Sequence, residues 1–122
     1  MSSAVSHTLA YNASTASALA HERFGDDLER VRRKHGRVEA ADVLAAVALV
    51  FTEHEVAFLD TSTNEHGIRE EWDASRSTFE ETMEACVGAA LEAAMRTGVA
   101  ASRWEEQLAP VVAAAFWRAV WD

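Results

Sequence analysis

Apolar residues recur at intervals of three and four along four stretches of the chain, the spacing of helices that bury one face. In the first stretch Ser17, His21, Phe24, Leu28, Val31 and His35 line up. This predicts a helix A that Ser14 or Thr15 caps and that ends at Gly36, a residue suited to the position after a helix. In the second, Val43, Val47, Val50, Phe51, His54 and Phe58 share a face, while Leu44, Ala48, Leu49 and Val56 spread apolar character around the rest. Such a helix, B, spanning about 39–59, belongs at the centre of its domain. Helix C is predicted over 68–96 from Ile68, Trp72, Ser75, Phe79, Met83, Cys86, Ala90 and Ala94, with Gly88 marking a close approach of another helix. Helix D opens on Ser102-Arg-Trp-Glu105, a capping-box pattern, and its stripe is Trp104, Leu108, Val111 and Ala115. Pro110 removes a backbone donor and is expected to kink or split it. Residues 1–13 read as a loose arm or a short extra turn, and 60–67 as a loop.

Four helices with short connections predict an all-α fold, a four-helix up-down bundle with a kinked or split last helix, in one domain over 1–122. The A–B connection is especially short, so A and B are expected to be antiparallel neighbours. With their turn near Arg37, His21 falls beside His54. Turns near Asn64 and Gly98 add Trp72 and Trp121 to the same end layer.

Composition sharpens this picture. Five glycines and one proline in 122 residues disfavour a turn-rich β fold. Half the chain is apolar and a quarter charged, which suits a folded domain. The net charge of −9, from 20 acids against 11 bases, repels nucleic acid and anionic lipid, so neither is expected as a partner. No stretch approaches the ~18 apolar residues of a membrane span. The lone Cys86 forms no internal disulfide, and the first residues carry no basic leader or long apolar run, so a cytoplasmic location is expected.

Candidate chemistry is sparse. His21 and His54 interrupt apolar stripes and have Glu22 and Glu53 as sequence neighbours, a donor set from which helical bundles build metal sites. The Glu-x-x-His spacing of di-iron bundles is absent, however, and two hydrogen-bonded histidines at the edge of a core account for the same pattern. Cys86 sits on an apolar stripe, as a packing residue does. The basic run Arg30–Arg37 complements the C-terminal end of helix A. Acids on helix C, Glu80 and Glu84 among them, form a solvated face or a docking surface for a basic partner. Trp117 and Trp121 lie one turn apart and share a face of helix D; tryptophans of an end helix more often pack in the core, and they also anchor interfaces. No phosphate loop, nucleophile triad or metal-ligand motif occurs.

These features predict a protein-binding module, such as a subunit, inhibitor, immunity-type or adaptor protein, without cofactor or enzymatic activity. Its expected contacts are Trp117, Trp121, Glu80 and Glu84, and its expected state is a homodimer or hetero-complex. The alternative is a metal- or small-ligand-binding bundle, enzymatic or not, centred on His21 and His54.

Overall fold

The computed structural model describes residues 2–36, 40–60, 77–98 and 101–121. Five α-helices run through them: α1 (Ser2–Arg23), α2 (Gly25–His35), α3 (Ala40–Asp60), α4 (Phe79–Arg96) and α5 (Trp104–Trp121). A 3-10 turn at Ala101–Arg103 precedes α5, and no strand occurs among the described residues. The all-α expectation therefore holds.

Helix A differs from its prediction in two ways. Residues 2–13, expected as an arm, are the opening turns of α1, and Asn12 is fully buried. The helix then breaks at Phe24, whose φ of −127° and ψ of 30° are not helical. The break turns the Phe24 ring onto α4 at Gly88, where an added Cβ would stand 3.4 Å from the ring. Gly88 thus marks a close approach, made by an aromatic ring.

The shorter helix α2 is well matched to its dipole, with Asp26 and Asp27 in its first turn and Arg32, Arg33, Lys34 and His35 in its last. Gly36 ends it at φ 81°, a conformation glycine takes without steric cost, and its N–H donates to the Arg32 carbonyl at 2.8 Å. The same end is tied to the C-terminus of α4. His35 Nε2 lies 2.9 Å from the Ala94 carbonyl, and the Lys34 ammonium donates to the Met95 carbonyl. These carbonyls belong to the last turn of α4, where no intrahelical donor is available. The His35 ring also stands edge-on to Trp104, centroids 4.9 Å apart.

Helix α4 begins at Phe79 with a capping box. The Thr78 hydroxyl accepts from the Glu81 N–H at 3.1 Å, and the Glu81 carboxylate accepts from the Thr78 N–H at 2.9 Å. Such a cap contributes about 1 kcal/mol. The Thr78 N–H also holds the Glu81 carboxyl below the usual carboxylate range. Ile68, Trp72 and Ser75, expected in the same helix, lie outside the described residues.

The expected caps and stripe of helix D shift as well. Ser102 falls inside the 3-10 turn, and α5 runs from Trp104 through Pro110 to Trp121 without splitting. Pro110 is exposed, so the carbonyl it leaves without a donor can turn to water. The buried residues of α5 are Trp104, Leu108, Val112, Phe116 and Val120, every fourth position.

The core gathers Ala16, Leu19 and Ala20 of α1, Leu28 and Val31 of α2, and Val43, Val47 and Phe51 of α3. Met83, Cys86 and Leu91 of α4 and the buried row of α5 complete it. Helix α3 packs on α1, α4 and α5, the central role its wide apolar face predicts.

Candidate partner-binding surface

The spacing of four along the buried side of α5 decides what its other side presents. Pro110, Ala114, Trp117 and Trp121 are exposed on that side together with Glu106, Gln107 and Arg118, and Ala113 is half-buried beside them. Trp117 keeps 39% of its surface exposed and Trp121 61%. Their rings are nearly parallel, 13° apart, with centroids separated by 6.3 Å. Val111, expected in the core, is exposed, and its neighbour Val112 takes the buried place.

Beneath Trp117 lies an aromatic layer. Phe51 meets Phe116 edge-on at 5.1 Å and Phe79 at 5.3 Å. The His54 ring stacks on Phe116 at 4.8 Å and stands edge-on to Trp117 at 4.7 Å. His54 therefore does contact a tryptophan from another helix, at the margin of the core.

His21 does not join it. The Asn12 side chain donates to the Thr52 hydroxyl at 3.2 Å, so residue 12 of α1, not residue 21, stands beside the His54 region of α3. His21 is nine residues further along α1, roughly 13 Å of helix rise, and it is exposed. The expected register fails because helix A does not run unbroken from His21 to His35: it breaks at Phe24. Glu22 and Glu53 are exposed, and no group of three or more candidate metal ligands forms among the described residues. The metal-site arrangement expected of His21, His54, Glu22 and Glu53 is thus not assembled. Trp72 of that expected layer lies outside the described residues.

Glu80 and Glu84 are accounted for differently. Arg23 reaches both, Glu80 at 2.9 Å and Glu84 in a closer contact, so these acids tie α1 to α4. Sequence spacing does not reveal this pairing, because 57 residues or more separate the partners. In the basic run, Arg30 pairs with Asp27 at 3.2 Å and Arg32 with Glu29 at 3.8 Å. Cys86 is fully buried and its thiol donates to the Val112 carbonyl at 3.8 Å. Burial pushes that thiol up to about 12, so no thiolate is available as a nucleophile.

One open groove of about 610 Å³ lies between α4, α5 and Phe24. Its floor is Ala85, Gly88, Ala89, Ala115 and Ala119. Of its polar residues, Glu81 caps α4, Glu84 pairs with Arg23, Glu92 pairs with Arg96 at 3.5 Å, and Arg118 lines the groove from α5. No helix among the described residues is long and apolar enough to cross a membrane. Compared with protein-family models, curated proteins and solved structures, the chain matches none of them.

The setting of His54 carries a pH prediction. Burial lowers its pKa below the ordinary histidine value, and the neighbouring Glu53 opposes this more weakly. The neutral ring is then the form that fits the fold. Stability from this site is present above the unfolded histidine pKa, about 6.5, and is lost as pH falls through it toward the depressed folded value. His54→Phe keeps the ring and removes the titration. Urea unfolding at pH values on either side of that window is expected to show a smaller stability loss in the variant than in the parent. Equal losses in both exclude His54 as the source.

Proposed function

We propose that this protein is a protein-binding helical module that works through the outer face of α5, as a subunit, inhibitor or adaptor does. The observation that carries the reading is the exposed, parallel Trp117–Trp121 pair. Tryptophan is enriched where a few residues supply most of an interface's binding energy, and a large exposed apolar side chain costs solubility unless something covers it. The scaffold for this face is a four-helix up-down bundle in which α1 and α2 together make the first arm. The pairing of Glu80 and Glu84 with Arg23 moves the contact surface away from the acids of α4 and onto the tryptophans. The reading is of a binding protein and not an enzyme. No observation favours the metal-binding alternative, since His21 and His54 stand apart.

The test is capture of partner proteins from the native cell by the parent chain and by the Trp117→Ser/Trp121→Ser double variant. Both positions face out of α5, so far-UV circular dichroism is expected to be unchanged. An interface hot spot contributes at least about 2 kcal/mol, roughly thirtyfold in affinity. Proteins retained by the parent should therefore be lost from the variant. An identical set captured by both chains overturns the reading.

A further inference from the structure

Trp117 rests against a wall that titrates. The His54 imidazole stacks on Phe116, centroids 4.8 Å and planes 24° apart, and stands edge-on to Trp117 at 4.7 Å. Phe116 has no exposed surface, whereas His54 is half-buried, at the margin of the layer. Trp117 is thus held between these two inner rings and Trp121, whose plane lies nearly parallel to its own. Protonation changes what the wall needs. A neutral imidazole has one N–H, and an imidazolium has two and carries a charge that seeks water. The rings of Phe116 and Trp117 offer no lone pair to either proton, and their attraction for a cation is weak where water competes. Burial lowers the His54 pKa and outweighs the opposing field of Glu53. Among the described side chains no further charge is placed to hold the cation. On α3 itself Glu53 is exposed, and on α5 Arg118 lines the groove shared with α4. At the start of α4, Glu80 is held by Arg23 and Glu81 by the Thr78 cap. From α1, the polar contact with this part of α3 is the Asn12 amide, which does not titrate.

We infer that His54 is a pH-operated latch on the tryptophan face: its protonation draws the imidazole out of the aromatic layer into water and frees the Trp117 ring from its fixed tilt, while the helices stay packed. The inference rests on the reading of this face as a protein-binding surface and names its regulation. At neutral pH the uncharged imidazole fits between its neighbours, and the two tryptophans keep their parallel setting. In mild acid the ring charges and leaves, and Trp117 loses one of the surfaces that orient it. No backbone shift is required, because a half-buried side chain at the margin reaches water by rotating about its own bonds. Phe116 stays in place beneath, edge-on to Phe51 at 5.1 Å. A surface whose anchors are pre-set binds better than one whose anchors must be ordered on contact, so the latch makes the face competent at neutral pH and weaker in acid.

Nuclear magnetic resonance of the isotope-labelled full chain, titrated from neutral pH into mild acid, tests this. The His54 ring is expected to titrate below the ordinary histidine value, about 6.5, and the Trp117 indole signal is expected to move with the same midpoint. Nuclear Overhauser contacts between the Trp117 and His54 rings are expected to fade across that midpoint, while those between Phe51 and Phe116 persist. In His54→Phe, whose ring takes no proton, the Trp117 signal is expected to stay constant over the same range. A Trp117 signal that ignores the His54 titration overturns the inference, as does a ring contact that survives protonation or a Trp117 shift that persists in His54→Phe. A His54 midpoint at or above the ordinary value overturns it too, because the rings would then be holding the cation. Loss of the Phe51–Phe116 contacts at the same midpoint is equally fatal, since the change would be unfolding and not a latch. The two readings fail separately. An identical set of proteins captured by the parent and by the tryptophan double variant removes the binding surface and leaves the coupling of the two rings, whereas a Trp117 indifferent to His54 sinks the latch alone.

Discussion

Phe116→Ala is expected to remove about 3–5 kcal/mol of stability, the cost of deleting a fully buried aromatic side chain and leaving a cavity. Domains of this kind are stable by about 5–15 kcal/mol in all, so the variant is expected to sit near the edge of folding. The size of the effect follows from what the ring touches. Phe116 has no exposed surface, meets Phe51 edge-on at 5.1 Å, stacks with His54 at 4.8 Å and meets Trp117 edge-on at 5.3 Å. It is one of the contacts through which α5 and the central α3 share a layer. Backbone atoms on both sides of that layer are fixed by their own helices, so little collapse into the void is available. Trp117→Ala, one residue on, removes a ring that is already partly in water and is expected to cost less than half as much. Urea unfolding of both variants checks the contrast. A loss of under about 1 kcal/mol for Phe116→Ala would mean the layer repacks, which the rigidity of close-packed interiors argues against.

How far the chain could be read in advance depends on how unevenly its apolar volume is distributed. Helix α3 was legible because Val43, Val47 and Phe51 stand out in size, and all three are fully buried. The row Met83, Cys86, Ala90 and Ala94 of α4 was legible from its spacing of three and four against a polar side carrying Glu80, Glu81 and Glu84. Helix α5 is apolar on several sides, so spacing alone did not choose between Val111 and Val112. The volume of Phe116 and Val120, four and eight residues beyond Val112, settles the choice. In α1 the residues are small and mixed, and no face dominates by size. Its extent and its buried row of Ala16, Leu19 and Ala20 therefore had no signal strong enough to read. The capping box at Thr78 and Glu81 has the same pattern as Ser102 and Glu105. A long apolar stripe drawn through Ser75 to Phe79 obscured it.

The candidate surface was legible in part. That Trp117 and Trp121 share a face follows from their spacing, and their exposure follows once Phe116 and Val120 are assigned to the core. Turns near Asn64 and Gly98 placed Trp121 in the layer of His54, and the tryptophan that meets His54 is Trp117, one turn earlier on the same face. Placing His21 next to His54 failed because that step assumed an unbroken helix from His21 to a turn near Arg37, and the chain breaks at Phe24 between them. Phe24 breaks the first arm through a contact with Gly88, 64 positions away in sequence, and no local pattern encodes it. The Arg23 pairing with Glu80 and Glu84 depends on the same bend and was hidden with it.

The true register of α1 on α3 has its own chemical signature in the pair Asn12 and Thr52, both buried. The Thr52 hydroxyl has one proton and donates it to the Ala48 carbonyl at 2.7 Å, so toward Asn12 it serves as acceptor, at 3.2 Å. Thr52→Val keeps nearly the same shape and takes that acceptor away from a buried amide. The expected loss is about 1–3 kcal/mol, the cost of removing one hydrogen-bond acceptor from a buried amide. Asn12→Leu removes the donor instead and leaves the Thr52 hydroxyl with its bond to Ala48. When both are replaced, neither polar group remains to be satisfied, and the double variant is expected to be more stable than the sum of the single losses predicts. Residues in direct contact commonly couple by about 0.5–3 kcal/mol, and a cycle of the two single variants and the double variant measures it by urea unfolding. Simple additivity would show that the two side chains do not act as a pair. Coupling of the expected sign would mean that this polar contact, not a His21–His54 layer, specifies where α1 sits along α3, because sliding α1 by a turn would bury the same two groups without each other.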